Sequence, residues 1–206
     1  MVPSTNKSDG KSQIEQINTI SKYSLLLPTL FAATILSFAI DERISLFFFS
    51  LILLLIFTGP YFQSFGLFLP ILSRAKQNKK GIALTFDDGP DPVLTPLLLE
   101  LLKKHSIKAT FFVIGHKAAE HPDLIKRMIE DGHEVANHSQ HHDPFLMLKK
   151  RKTILNEIST CQKELSKLGV HTYAFRPPAG ITNPKLFPIL VSLGLYCVGY
   201  SCRAID

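Results

Sequence analysis

From Gly81 onward, short apolar runs alternate with amphipathic segments, and that alternation admits few folds. Ile82, Leu84 and Phe86 alternate with smaller residues and predict a buried strand. Leucines 97, 98, 101 and 102 predict a helix over 94–105. Ala109–Gly115 is a continuous apolar run closed by glycine, the mark of a strand covered on both faces. A helix is expected over 118–131, a short strand over 133–138, and a long helix over 147–168 that Gly169 ends. A strand over 173–176, a helix over 185–193 and a strand over 196–201 complete the pattern. Repeated strand–helix units imply a parallel sheet, open or rolled into a barrel. Chemistry in such sheets collects at the carboxyl ends of the strands.

Four of these ends carry polar groups. The first is Thr85-Phe86-Asp87-Asp88-Gly89-Pro90, where an apolar run stops in two adjacent carboxylates. Such neighbours repel each other unless a cation or a proton separates their roles, although Asp-Gly-Pro is also ordinary turn chemistry. The second is Asn137–Asp143, with three histidines. His138 and His142 stand four apart, close enough to share a metal on a helix or a tight turn. With one carboxylate of the Asp87/Asp88 pair they would form a two-His, one-Asp site that leaves a position for water. Without the Asp pair, a surface loop of titrating histidines is the favoured reading. Arg176 and the 201–206 segment follow the fourth and fifth strands. His105, His116, His121 and His171 read as helix-end or loop residues, and Lys149-Lys150-Arg151-Lys152 as a solvated face, with anionic lipid as the alternative.

Ahead of Gly81 the composition changes. Residues 23–40 carry no charge, and neither do residues 44–73. Two membrane spans are expected within 24–73, preceded by a polar tail over 1–23 and followed by a basic linker over 74–80. Tyr61–Leu72, after Gly59-Pro60, reads as a half-span or interfacial segment. The positive-inside rule puts the domain in the cytoplasm, and a third crossing would put it outside. Eight of the 23 Lys/Arg but only four of the 17 Asp/Glu precede residue 81, so the excess of +6 is mostly membrane-proximal and does not argue for nucleic acid. Cys161, Cys197 and Cys202 share no metal-binding spacing.

Residues 81–206 resemble the polysaccharide deacetylase family, the chitooligosaccharide deacetylase homology domain. The resemblance rests on three ordered motifs: T-F-D-D-G-P at 85–90, His138-Ser139-Gln140-His141-His142, and Arg176-Pro177-Pro178-Ala179-Gly180. It implies an α/β fold, an irregular (β/α) barrel incomplete at its C-terminal end and preceded here by two transmembrane helices. It further implies a membrane-anchored hydrolase that removes N-acetyl groups from amino sugars in a polysaccharide, oligosaccharide or lipid-linked glycan. Asp88, His138 and His142 would hold one divalent metal ion, zinc in most relatives. Asp87 would be the general base, Arg176 its partner, and the Ala179 N–H a donor to the oxyanion. Three departures stand out. Ala179 occupies a position usually aromatic, the fourth motif is reduced to Arg203-Ala204-Ile205-Asp206, and the fifth, with its general-acid His, is absent. A truncated product of a longer protein with weak activity is therefore expected. The competing reading is a catalytically silent metal- or glycan-binding module on a membrane anchor.

Overall fold

The computed structural model describes residues 25–59, 67–74 and 81–202. The polar tail, residue 60 and residues 61–66 of the segment read as a half-span, most of the basic linker and residues 203–206 lie outside the described residues.

Six parallel strands form one sheet: β1 (Ile71–Leu72), β2 (Thr85–Gly89), β3 (Thr110–Val113), β4 (Glu134–Asn137), β5 (Ala174–Phe175) and β6 (Tyr196–Val198), in the order β1-β6-β5-β4-β3-β2. The connections are helical: α3 (Leu94–Lys104), α4 (Gly115–Glu120), α5 (Pro122–Glu130), α6 (Arg151–Lys167) and α7 (Leu186–Leu193). Two further helices, α1 (Leu26–Phe38) and α2 (Glu42–Thr58), precede the sheet. A single helix expected over 118–131 is two, because Pro122 opens α5 at its first turn, where a missing N–H costs nothing.

Period-2 alternation sorts the strand residues onto two faces. Phe111, Val113 and Val135 pack under Leu99, Ile125, Met128 and Leu165 of the helices. Phe175 and Cys197 pack under Ile154, Ile158, Leu186 and Ile189. The opposite face carries Phe112, Ala136, Ala174, Tyr196 and Val198, which pack on one another. Phe112 is fully buried there, worth roughly 1.5–3 kcal/mol for an apolar side chain of that size. With the helices stacked against one face, the other is buried only if the sheet curls around it, as in a barrel. Among the described residues the two sheet edges, β1 and β2, are not paired with each other.

Two sequence expectations change. Ile71 and Leu72, read as part of a membrane anchor, form β1 beside β6, and Leu69 is buried in the domain core. A two-residue strand is too short to show a period. At the other edge, Ile82 is 95% exposed and the ladder starts only at Thr85, so the buried strand read through Ile82 and Leu84 is displaced three residues onward. An edge strand has an unpaired side, and alternation in sequence does not reveal which strand lies there.

Helices α1 and α2 form an antiparallel hairpin, with Asp41 accepting from the Arg43 N–H at 2.8 Å to start the second. At 13 and 17 residues they are about 20 and 26 Å long, against about 30 Å of bilayer hydrocarbon. No helix among the described residues is long and apolar enough to cross a membrane. The two spans expected from sequence correspond to two shorter helices, the first closing at Phe38 ahead of Asp41-Glu42-Arg43 and the second closing at Thr58 ahead of Gly59.

Gly115 opens α4 in close contact with α6. A Cβ there would collide with Gln140 Oε1 and lie 3.0 Å from both Cα and Cβ of Cys161 on α6. Gly115→Ala is expected to destabilise the domain by about 1–3 kcal/mol, read as a lower urea midpoint with an unchanged slope.

Candidate metal centre and catalytic groove

Asp87 and Asp88 are consecutive in β2, and a regular strand would send them to opposite faces. The ladder between β2 and β3 shifts register between Phe86 and Gly89, and Asp88 adopts a left-handed φ of 67°. Both carboxylates consequently line one groove of about 720 Å³ at the carboxyl ends of the strands, together with Leu84, His138, Ala179 and Tyr200.

His138 leaves the end of β4, where its Nδ1–H donates to the Arg176 carbonyl at 2.7 Å. That bond fixes the tautomer and leaves Nε2 with a lone pair, 3.4 Å from Asp88 Oδ1. His142 reaches the same oxygen at 3.0 Å. The four-residue spacing works here through a tight turn: Ser139 and His142 have φ of 69° and 53°, and the His142 N–H donates to Ser139 Oγ at 3.1 Å. One ligand atom from each of Asp88, His138 and His142 lies within 4.8 Å of the others. Two imidazole nitrogens and one carboxylate oxygen, with room left in an open groove, fit a divalent cation of the zinc class.

Protonation favours the same assignment. The two imidazoles beside it, His138 first and then His142, hold Asp88 below the usual carboxylate range against the opposing effect of burial. Burial, aided by His138, pushes His142 below the ordinary imidazole value despite the pull of Asp88. At neutral pH this leaves an ionised carboxylate and a neutral imidazole, the forms that bind metal.

Asp87 is held differently. Arg176 Nη1 donates to its Oδ1 at 2.6 Å and to Thr85 Oγ1 at 2.9 Å. The same guanidinium donates through Nη2 to the Gly199 carbonyl at 3.0 Å and through Nε toward Val198. It lies 3.9 Å over the Phe112 ring, and its side chain is 3% exposed. Ala179 sits in a short 3-10 turn with a φ of 53°, on the groove wall. Its side chain is only a methyl, so no ring narrows the groove at that point.

His141 does not join the ligand cluster. Its Nδ1 pairs with Glu157 Oε1 at 2.7 Å, and its ring stacks on His116. Sequence reasoning missed Lys117, whose Nζ–H donates to the Asp88 carbonyl at 2.9 Å. A lone lysine opening a helix carries no motif that would have flagged it. It gave no role to Thr85, which opens the first motif, or to Phe112, which read as a plain strand residue; both support Arg176.

A family model described as polysaccharide deacetylase matches residues 74–198. The chain is 42% identical over 139 residues to a peptidoglycan-N-acetylglucosamine deacetylase, PgdA, of Listeria monocytogenes, covering 67% of this chain and 29% of the relative. The chain thus spans under a third of that relative's length. It superposes on Bacillus subtilis PdaA, a family 4 carbohydrate esterase, with a TM-score of 0.59 at 35% identity, covering 66% of this chain and 58% of the other. A family 4 pseudoenzyme of Bacillus anthracis, BA3943, is also similar, with a TM-score of 0.57 at 26% identity, covering 61% and 45%. Likeness of fold therefore spans active and inactive proteins, and the site residues must carry the functional argument.

Replacing Arg176 tests how far the site depends on one buried cation. Arg176→Met would leave Asp87 and two strand-end carbonyls without their donor, at a cost of about 3 kcal/mol. Arg176→Lys keeps the charge but not the planar fork. Both variants should lower the urea midpoint, the methionine more; equal stability of all three proteins would contradict this role.

Proposed function

This chain belongs to the polysaccharide deacetylase family, and on that footing we propose that it hydrolyses the N-acetyl amide of amino sugars in a glycan. The observation that carries the reading is the division of two adjacent carboxylates. Asp88 meets two imidazole nitrogens at 3.4 and 3.0 Å, while Asp87 meets a buried guanidinium at 2.6 Å. Asp88, His138 and His142 would hold the divalent cation, zinc being the ion that the donor set suits best. When bound, that cation supplies Lewis-acid polarisation of the acetyl carbonyl and of water.

The protein's own groups divide the remaining work. Asp87 accepts the proton of the attacking water as general base and, once protonated, returns it to the amide nitrogen as the C–N bond breaks and acetate and the free amine leave. Arg176 keeps Asp87 ionised and aimed, and Thr85 and the two strand-end carbonyls keep Arg176 in place. The Ala179 N–H, in its left-handed turn, donates to the oxygen of the acetyl carbonyl as charge develops there. The wide groove beside Ala179 suits a chain of sugars rather than a small closed substrate.

The test combines metal binding with acetate release from an N-acetylated glycan, using chitin oligomers and peptidoglycan fragments. His138→Ala and His142→Ala should lose metal affinity strongly, whereas His141→Ala should not. Asp87→Asn should keep the metal and slow acetate release by about a hundred- to ten-thousand-fold. Undiminished turnover in Asp87→Asn would remove Asp87 from the mechanism. Metal binding with no acetate release by the unaltered protein would favour a silent glycan-binding module, the reading that likeness to the B. anthracis pseudoenzyme supports.

We further infer that the α1–α2 hairpin places the protein at a lipid bilayer. Phe31, Leu36, Phe38, Leu46, Phe47 and Phe57 are all exposed on it. Its hydroxyls turn back onto their own backbone: Thr29, Thr34 and Thr58 donate to carbonyls four residues earlier at 2.7–2.9 Å. A soluble helix of this length rarely lacks a polar face. Alkaline carbonate washing of membranes should leave the full chain in the pellet, and release into the supernatant would refute the inference.

A further inference from the structure

Four residues beyond His142, the chain makes a 3-10 turn over Leu146–Leu148 whose side chains divide sharply. Leu146 and Met147 are buried in the domain core, whereas Phe145 is 64% and Leu148 78% exposed. A 3-10 turn has three residues per turn, so positions three apart eclipse one another. Phe145 and Leu148 therefore project from the same side. Immediately after them come Lys149, Lys150, Arg151 and Lys152, all exposed. Lys185, from the start of α7, donates through Nζ to the Lys149 carbonyl at 3.0 Å and adds a fifth cation. Among the described residues, Lys149 is the one of these that has an acidic partner, Asp143 at 3.3 Å.

The turn is rigidly made. The Phe145 N–H donates to Asp143 Oδ1 at 2.8 Å and the Leu146 N–H to the Asp143 carbonyl at 2.9 Å. Nothing in the domain's packing requires two large apolar side chains to stand in water at the head of a basic run. Two exposed apolar groups at the head of a run of exposed cations, one of them paired with Asp143, match the chemistry of an anionic lipid surface, where apolar groups enter the interface and each cation adds attraction. A purely solvated basic face would not carry the apolar pair.

We propose that Phe145, Leu148 and the cations Lys149, Lys150, Arg151, Lys152 and Lys185 form a docking surface for an anionic bilayer. Phe145 lies three residues from His142, at most about 11 Å along the chain, so docking brings the catalytic groove to the membrane surface. It deepens the reading above by assigning the substrate to the glycan lying nearest the lipid headgroups. It rests on the hairpin residing in the same bilayer.

The experiment uses the full chain reconstituted into vesicles of phosphatidylcholine alone or mixed with phosphatidylglycerol. An environment-sensitive fluorophore is attached at Leu148→Cys in a Cys202→Ser background. Cys161 and Cys197 are buried, their thiols pushed up to about 12, so they do not compete for label. Emission should shift to the blue in anionic vesicles, and not in neutral ones. The shift should reverse at high salt, where the Debye length falls to about 3 Å. Lys150→Glu, Arg151→Glu and Lys152→Glu should each reduce the docked population by roughly fivefold or more. Water-like emission in anionic vesicles, or an equal shift in neutral ones, would overturn the docking surface. Co-sedimentation of the chain with both vesicle types separates that result from failure of the hairpin inference. Acetate release from a soluble chitin oligomer, which the charge reversals should leave unchanged, separates it from failure of the deacetylase reading.

Discussion

The guanidinium of Arg176 is the contact on which the site depends. In a flat sheet β5 and β2 are separated by two strands, about 14 Å, yet Arg176 at the end of β5 reaches both Asp87 and Thr85 on β2. The curl of the sheet makes that reach possible, and the inward packing of Phe112, Ala136, Ala174 and Val198 supports the curl. The same guanidinium also occupies the carbonyls at the end of β6. One buried cation thus binds three strand ends and neutralises one of two neighbouring carboxylates. A charge so buried is costly unless it is hydrogen-bonded and its counter-charge is close; here four hydrogen bonds hold the guanidinium, the one to Asp87 at 2.6 Å.

The division of the carboxylates follows from that contact. Asp87 and Asp88 would repel each other if both faced the same unpaired space. Arg176 takes one, and the two imidazoles take the other. The backbone makes this possible at its own expense: left-handed residues at Asp88, Ser139, His142 and Ala179 surround the groove. Such conformations are uncommon outside glycine and collect where surrounding structure holds them in place.

At the other extreme of the chain, apolar residues face outward instead of inward. The α1–α2 hairpin shows its phenylalanines and leucines to its surroundings, and the turn after His142 shows two more beside a basic run. Both lie outside the clusters that hold the sheet and its helices together. The molecule therefore combines a conventionally packed α/β domain with surfaces on which large apolar side chains stand exposed.

Alternating apolar runs and amphipathic segments were sufficient, from sequence alone, to show parallel strand–helix units, since period 2 and period 3.6 are local properties. Asp87, Asp88, His138 and Arg176 drew notice for the same reason, each standing where an apolar run stops, and His142 by its four-residue spacing from His138; which carboxylate would face the histidines came only from the family resemblance. What needed the folded chain is non-local. β1 is two residues long and is a strand only because β6 lies beside it. Ile82 looks buried in sequence and is exposed because β2 falls at an edge. Thr85, Phe112 and Lys117 gain their roles only through Arg176 and Asp88, up to 91 residues away. Local pattern decides which element a residue joins. The curl of the sheet, which no single segment encodes, decides which elements meet.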